Sequence, residues 1–197
     1  MAYFTKSEAR AAAARTRRVQ KSFGMESADI LLDSAKTANT TDSFDVFLSH
    51  SIADAEIVLG IKQLLEDSGL KVYVDWVQDT QMDRQHVTKE TAAILRQRMR
   101  QSKSLIYLSS GNSSSSKWMP WELGYFDGFK PDGVAIMPVL DSSTDTFQGQ
   151  EYLGLYPIVQ RNTYRDGTPD VLVEERGVRW STLKRFGSGQ PVWGKYS

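Results

Sequence analysis

The sequence predicts an α/β protein whose parallel sheet is covered by helices on both faces. Three observations support this class: short apolar runs rich in β-branched and aromatic residues, helix-periodic segments between them, and polar loops after them. The runs have the length of buried strands and are too short for helices. We expect five strands, at FDVFLS (44–49), KVYVDW (71–76), SLIYLSS (104–110), GVAIMPVL (133–140) and YPIVQRN (156–162).

Three helices are expected between these strands. The first begins near Ser51, which has capping-box spacing to Asp54, and stops at Gly69. The second is capped by Thr88. The third begins at about Lys117, with a proline in its first turn, where a backbone N–H lacks a partner in any case.

The segments flanking the strands suggest three parts. Residues 1–43 are expected to form a helical extension and linker, because an alanine run favours helix and the stretch KTANTTDS (36–43) is small and polar. Residues 44–165 form the domain itself. Residues 166–197 are expected to be an appendage packed on the domain, with a strand and a terminal helix within 171–187.

Composition excludes several classes of function. Lys plus Arg equals Asp plus Glu at 24 each, so net charge offers no argument for nucleic acid or an anionic membrane as a partner. The chain has no cysteine and only two histidines, His50 and His86, which argues against a metal site and a serine triad. With no apolar run of about 20 residues, we expect a soluble protein, and a chain without cysteine fits the reducing cytoplasm.

The helix in KWMPWELGYFDG (117–128) carries an acid on its apolar side. At about 100° per residue, Glu122 lies in a stripe with Trp118, Tyr125 and Phe129. The opposite side already carries Pro120, Gly124 and Asp127. A surface glutamate was not needed here, so Glu122 is either a satisfied structural acid or a functional one.

In parallel sheets of this kind, ligands bind beyond the carboxyl ends of the strands. Hydroxyls, carboxylates, an imidazole and indoles are expected at that edge, a set suited to a sugar and a flat heteroaromatic ring. Asp75 could equally cap a turn, His50 could be a loop residue, and the tryptophans taken singly are packing residues. The candidates for substrate binding are Ser49, His50, Ser51, Asp75, Trp76, Trp118 and Trp121.

These residues resemble the Toll/interleukin-1 receptor (TIR) domain family, in its bacterial, NAD-cleaving branch. FDVFLSHS is similar to the family's opening strand, VYVDW with the polar loop after it to its second strand and BB loop, and SKWMPWEL to its Trp-x-x-x-Glu helix. The likeness spans about residues 44–162, with three motifs in order at the proper spacing. It implies the TIR fold: a flavodoxin-like, doubly wound, parallel five-stranded sheet, here with an N-terminal helical extension.

The resemblance also implies an activity. Enzymatic members cleave the nicotinamide–ribose bond of NAD⁺, and the family's catalytic glutamate maps onto Glu122. The product would be ADP-ribose or a cyclic isomer, as expected of an NAD⁺ nucleosidase or ADP-ribosyl cyclase in antiphage defence. NAD⁺ is then a substrate and no cofactor is needed. The partners implied are other TIR domains, through self-association in which the BB loop (77–87) of a neighbour completes the pocket. An effector or sensor protein is a further candidate.

One departure and two alternatives stand beside this interpretation. Some animal members that cleave NAD⁺ carry arginine just after the first strand, where this chain reads Ser49-His50-Ser51-Ile52. The alternatives are a non-catalytic TIR adaptor, against which Trp118 and Glu122 argue, and a nucleoside-processing transferase. Release of nicotinamide by the purified protein excludes the adaptor, and free nucleosides tested beside NAD⁺ identify the transferase.

Overall fold

The computed structural model describes residues 2–19, 25–75, 88–164 and 166–196. Its helices and strands alternate through most of the chain, as expected. Short 3₁₀ turns follow β2, β4, α5 and β5. The elements are β1 (Phe4–Thr5), α1 (Lys6–Val19), α2 (Ser27–Lys36), β2 (Phe44–Ser49), α3 (Ala55–Asp67), β3 (Val72–Val74), α4 (Lys89–Arg100), β4 (Ser102–Ser109), α5 (Trp118–Phe129), β5 (Val134–Leu140), β6 (Ile158–Thr163), β7 (Pro169–Glu175), β8 (Arg179–Thr182), α6 (Leu183–Gly187) and β9 (Gly194–Lys195).

The five predicted strands are present as β2 to β6, and they pair in parallel in the order β3-β2-β4-β5-β6. This order, with the first of the five strands flanked by the second and third, is that of a flavodoxin-like sheet. The sheet is larger than expected. Within the described residues it has nine strands, because β7, β8 and β9 extend it with antiparallel pairing and β1 pairs with β5.

Helices cover both faces of the sheet over two separate hydrophobic clusters. On one face, α1, α2, α3 and α6 pack on residues such as Val46 and Leu48 of β2. On the other face, α4 and α5 pack on residues such as Phe47 of β2 and Tyr107 of β4. Because successive strand residues point to opposite faces, Ser49 lies on the same face as Phe47, the face that α5 covers.

The N-terminal residues form part of the first cluster. Phe4, Ala9 and Ala13 are buried in it beside residues of β2 and α3. Phe4 and Thr5 pair with Val139 and Leu140 at the end of β5, and Ala2 exchanges both backbone hydrogen bonds with Arg161 of β6. The helical extension is therefore present, and it packs into the core of the chain and pairs with the sheet.

Two side-chain contacts fix the start of α1. Thr5 precedes the helix and Glu8 follows three residues later, and the Glu8 carboxylate accepts from both the backbone N–H and the hydroxyl of Thr5, each at 2.8 Å. The second Glu8 oxygen pairs with Arg161. This is a capping box with an added salt bridge to β6. The pattern Thr-x-x-Glu was readable in the sequence, but it did not enter the prediction.

The C-terminal residues continue the sheet. The expected strand and terminal helix are β7 and α6, and the structure adds β8 and β9. Leu183 and Phe186 of α6 are buried in the same cluster as the N-terminal helices. Our division at residues 43 and 165 stays a prediction, although both flanking segments share a core with the central strands.

Candidate active site

Glu122 lies where the sequence placed it, one turn into α5 and below the carboxyl end of the sheet. It is 5% exposed, and it shares a buried helix face with Trp118, one turn earlier, and Phe126, one turn later. Residues four apart on a helix are neighbours on its surface. An acid on this face lies in a largely apolar environment and needs hydrogen-bond donors to remain there.

Ser49 supplies one such donor from the sheet. Its hydroxyl donates to Oε2 of Glu122 at an oxygen–oxygen distance of 2.5 Å, across a sequence separation of 73 residues. Ser49 is the last residue of β2 and has no exposed surface. The distance is at the short end of the range for a hydroxyl on a carboxylate, which is typical of a charge-assisted hydrogen bond.

The buried face of α5 differs from the predicted stripe in its position around the helix. Met119, Leu123 and Phe126 are buried beside Glu122, whereas Tyr125 is only partly buried and Phe129 is 38% exposed. The shift arises because α5 packs on the sheet through its 119, 122, 123 and 126 positions. The aromatic residues at 125 and 129 lie at the margin of this contact.

Tyr107 places a second hydroxyl near the acid. It is the register partner of Ser49 on the neighbouring strand β4, so its side chain points to the same face of the sheet. Burial, the neighbouring hydroxyl of Tyr152 and the negative charge of Glu122 raise the pKa of Tyr107 above its usual value. Its hydroxyl is buried near those of Tyr152 and Ser113 without a well-formed hydrogen bond to either. The sequence analysis missed Tyr107, because a tyrosine in an apolar strand is indistinguishable from a packing residue.

The other predicted binding residues after β2 and β3 are buried at the expected edge. Nδ1–H of His50 donates to the carbonyl of Leu48 at 2.9 Å, and the Ser51 hydroxyl accepts from the N–H of Ala53 at 3.4 Å. Asp75 is 3.5 Å from the hydroxyl of Tyr73. Trp76 lies outside the described residues, as does the BB loop at 77–87.

Trp121 lies on the side of α5 that faces α4. Its ring stacks on Tyr125, with centroids 5.7 Å apart and planes at 18°, and the guanidinium of Arg96 lies 5.4 Å from its centroid. It meets Trp118 edge to face at 5.4 Å. The Arg96 contact joins α5 to α4, whereas both ring contacts lie within α5. The structure thus brings Trp118 to the acid and gives Trp121 a packing contact with α4.

Asp54 is a buried acid at the same edge that was assigned only a capping role from the sequence. Its carboxylate accepts from the Ser110 hydroxyl and, at 2.7 Å, from the side-chain amide of Asn112. The Ser51 hydroxyl caps the turn as expected, but the Asp54 carboxylate bonds to Ser110 and Asn112 and not to the backbone N–H of Ser51, so the capping-box expectation was wrong for Asp54. Its true partners lie in the loop after β4. The acid therefore ties that loop, which leads into α5, to the turn after β2.

Neither a metal cluster nor a membrane helix emerges from the described ranges. No group of three or more His, Asp or Glu residues there could hold a metal ion. No helix within them is long and apolar enough to cross a bilayer. What the edge does offer is one buried, hydrogen-bonded carboxylate beside an indole, an arrangement that can stabilise positive charge on a bound sugar.

The fold and site define a flavodoxin-like α/β protein with a buried glutamate in a Trp-x-x-x-Glu helix. The family model described as TIR domain matches residues 46–168, more than half of the chain. The chain belongs to the TIR domain family, as the sequence motifs indicated.

Two curated relatives are similar to it. One, from Bacillus cereus (strain MSX-D12), bears the name probable 3' cyclic ADP-D-ribose synthase ThsB'; it is 50% identical over 157 residues, covering 77% of this chain and 81% of the relative. The other, from Cytobacillus dafuensis, is the putative cyclic ADP-D-ribose synthase TIR2, 32% identical over 83 residues. That second match covers 42% of this chain and 22% of the relative.

Proposed function

We propose that this chain cleaves the nicotinamide–ribose bond of NAD⁺ and that Glu122 is its catalytic residue. The observation that carries the proposal is the buried carboxylate of Glu122, fixed by Ser49 at the ligand-binding edge of a TIR sheet. The 50% identity to a relative named as a probable cyclic ADP-D-ribose synthase supports the same chemistry here.

The proposed role of Glu122 is electrostatic. As the bond between the anomeric carbon and the nicotinamide nitrogen lengthens, the ribose takes on oxocarbenium-like positive charge, as a sugar ring does in glycosidases. A fixed carboxylate next to the ribose stabilises that charge, and in a water-poor site the interaction is stronger than in water. Nicotinamide leaves with the bonding electron pair as a neutral molecule, so no general acid is needed.

Whatever captures the anomeric carbon determines the product. Water yields ADP-ribose, whereas a nucleophile within the same molecule yields a cyclic isomer. We propose the cyclic product, by analogy with the relative named as a probable 3' cyclic ADP-D-ribose synthase. In that case the 3' hydroxyl of the adenosine ribose attacks the anomeric carbon and loses its proton, so NAD⁺ gives nicotinamide, cyclic ADP-ribose and one proton.

We further propose that the active form is a homo-oligomer in the cytoplasm and that it serves signal transduction in antiphage defence. The support for this is family membership, the cyclic ADP-D-ribose synthase names of the relatives and a cysteine-free chain suited to a reducing compartment. The partners would be NAD⁺, further TIR domains and a protein that responds to the cyclic product. In an assembly of this kind, specific activity rises with protein concentration.

The test is chromatography of the products after incubation with NAD⁺, for the wild type and for Glu122→Gln. Glutamine keeps the size and hydrogen-bonding capacity of glutamate but removes its charge. We expect nicotinamide and a cyclic isomer from the wild type, and turnover lower by at least about a hundredfold in the variant. We expect the melting temperature of the variant to be unchanged or higher, because a functional buried charge is a local cost in stability.

Three results would contradict the proposal. A Gln variant that is destabilised yet turns over normally would make Glu122 structural. A folded wild type that releases no nicotinamide, either at high concentration or with its partners, would indicate a TIR adaptor. Cleavage of free nucleosides in preference to NAD⁺ would indicate a nucleoside-processing transferase.

A further inference from the structure

Ser49 was expected to bind substrate, but its environment suits another role. The side chain has no exposed surface, and its one hydroxyl proton is committed to Oε2 of Glu122. A hydroxyl has a single proton to donate. While this hydrogen bond persists, Ser49 has no donor to offer to a ribose or a phosphate.

Glu122 needs an external constraint on its direction. A glutamate side chain has three rotatable bonds. Besides Trp118, the buried residues on its own helix face are Met119, Leu123 and Phe126, whose side chains carry no hydrogen-bond donor. Such neighbours fill space but do not orient a carboxylate. A charge that is to oppose a developing cation must be close to its productive position before the reaction begins.

Ser49 is on a rigid support that could provide this constraint. It ends β2, in register with Tyr107 of β4, and the neighbouring residue Leu48 pairs with both β3 and β4. The hydroxyl therefore projects from a strand that is hydrogen-bonded on both sides. Sites built on strands are more accurately placed than sites on loops.

We propose that Ser49 is a positioning residue for the proposed NAD⁺ cleavage: its hydroxyl aims the Glu122 carboxylate at the ribose and does not itself touch NAD⁺. The inference rests on the proposed function. A hydrogen bond to the ionised carboxylate also favours the charged form, which is the form that stabilises a cation.

The two roles of Ser49 predict different kinetics. A positioning residue acts on the transition state, so Ser49→Ala should lower kcat by roughly tenfold to a hundredfold, the usual scale for losing a hydrogen bond to a charged group. KM should stay within about twofold of the wild-type value, because no contact with bound NAD⁺ is lost. Ser49→Thr keeps the hydroxyl on the same carbon and should restore most of kcat.

Ser104→Ala is the matched control. Ser104 is a fully buried serine near the start of β4. Its hydroxyl oxygen lies 3.0 Å from the backbone carbonyl oxygen of Asp45 and 3.2 Å from that of Gly187, so its proton is donated to one or the other. It lies at the opposite end of the sheet from Ser49 and faces the other hydrophobic cluster. The control should lose stability as Ser49→Ala does, and it should keep the kcat and KM of the wild type.

The experiment measures nicotinamide release against NAD⁺ concentration for the wild type and for these variants, together with their melting curves. Lower kcat at unchanged KM, with rescue by threonine, is the expected result. A raised KM at unchanged kcat, or wild-type kinetics in Ser49→Ala, would overturn the positioning role of Ser49 and leave the proposed function standing. A wild type that releases no nicotinamide would overturn the proposed function and this inference with it. If Ser49→Ala does not fold, Ser49→Cys, which keeps a weaker donor, should show the same split between kcat and KM.

Discussion

Gly60 of α3 lies directly against the backbone of Ala9 in α1. A β-carbon on residue 60 would lie 1.8 Å from the Ala9 carbonyl oxygen and 2.5 Å from its carbonyl carbon. The two helices therefore touch through their backbones, which only the smallest residues allow. This contact attaches the N-terminal helix to the first helix of the TIR fold.

Gly60→Ala is expected to destabilise the protein. The added methyl group would meet backbone atoms, which cannot move aside as a flexible side chain can, so α1 would have to separate from α3. Overpacking of this kind costs up to about 3 kcal/mol, or roughly 6 to 12 °C in melting temperature for a chain of this size.

The control for this prediction is Gly124→Ala. Gly124 is in the middle of α5, and a β-carbon there would meet nothing within 4 Å. Alanine favours helix over glycine by up to about 1 kcal/mol, so this variant should melt at the wild-type temperature or above it. Equal melting of the two variants would mean that α1 does not pack on α3 as described.

A second prediction concerns acid pH and the capping box at the start of α1. Burial alone would raise the pKa of Glu8, but hydrogen bonds from Thr5 and the Arg161 guanidinium outweigh it, and the pKa lies below its ordinary value. A lowered folded pKa adds stability that is present above the unfolded pKa, about 4.3, and that is lost as pH falls through the folded pKa.

Glu8→Gln should therefore melt below the wild type at pH 7, and the difference should shrink as pH falls below about 4. Arg161→Gln removes the partner, so combining the two substitutions should cost less than the sum of the single effects. Melting curves of the four proteins between pH 3 and 7 measure both effects. Strictly additive losses would show that the ion pair does not couple α1 to β6.

A third prediction concerns the loop that leads into α5. Asp54→Ala leaves the Ser110 hydroxyl and the Asn112 amide without their acceptor, which should cost about 1 to 3 kcal/mol of stability. Because this loop precedes the helix that carries Glu122, nicotinamide release should also fall. Asp132→Asn is the control, since the Asp132 side chain is 80% exposed and its ion pair with Arg179, at 3.7 Å, is long. Its effect should stay within about 0.5 kcal/mol, and a similarly silent Asp54→Ala would contradict the anchoring role.

A fourth prediction concerns alkaline pH and Tyr107. Its pKa is raised in the folded protein, first by burial and then by Tyr152 and Glu122. A raised folded pKa gives a contribution that is fully present below the unfolded pKa, about 10, and that is lost as pH rises through the folded pKa. The wild-type melting temperature should therefore fall steeply above about pH 10, and Tyr107→Phe should reduce that slope. An unchanged slope would show that Tyr107 ionises no less readily in the folded state.

The central strands were predictable because their local signals agree. FDVFLS and GVAIMPVL are apolar, β-branched and bounded by polar residues, and both are strands within a residue of the expected bounds. The cap at Thr88 was also predictable, since its hydroxyl accepts from the N–H of Thr91 at 3.1 Å. The placement of Glu122 on a buried helix face followed from helical periodicity alone.

The attachment of the N-terminal helix could not be predicted in the same way. Its buried residues are mostly alanines, which carry almost no hydrophobic contrast with their neighbours, and its partner on α3 is a glycine. The close approach of two helix backbones depends on the surfaces of both helices, and the sequence of neither helix shows it alone. The hydrogen bond between Ser49 and Glu122 was hidden for a related reason, because it joins positions that only the folded sheet brings together.

The division of the core by the sheet has a consequence for how such a chain can evolve. The buried carboxylate of Glu122 lowers the stability of only the hydrophobic cluster under α4 and α5. Helices α1, α2, α3 and α6 pack on the other face of the sheet. Substitutions in the N-terminal helices can then raise or lower the free energy of unfolding without contacting the residues around Glu122. Residues on the α1–α3 face of the sheet can therefore be substituted while the residues around Glu122 on the other face are kept. We expect sequence divergence among relatives to concentrate on the α1–α3 face.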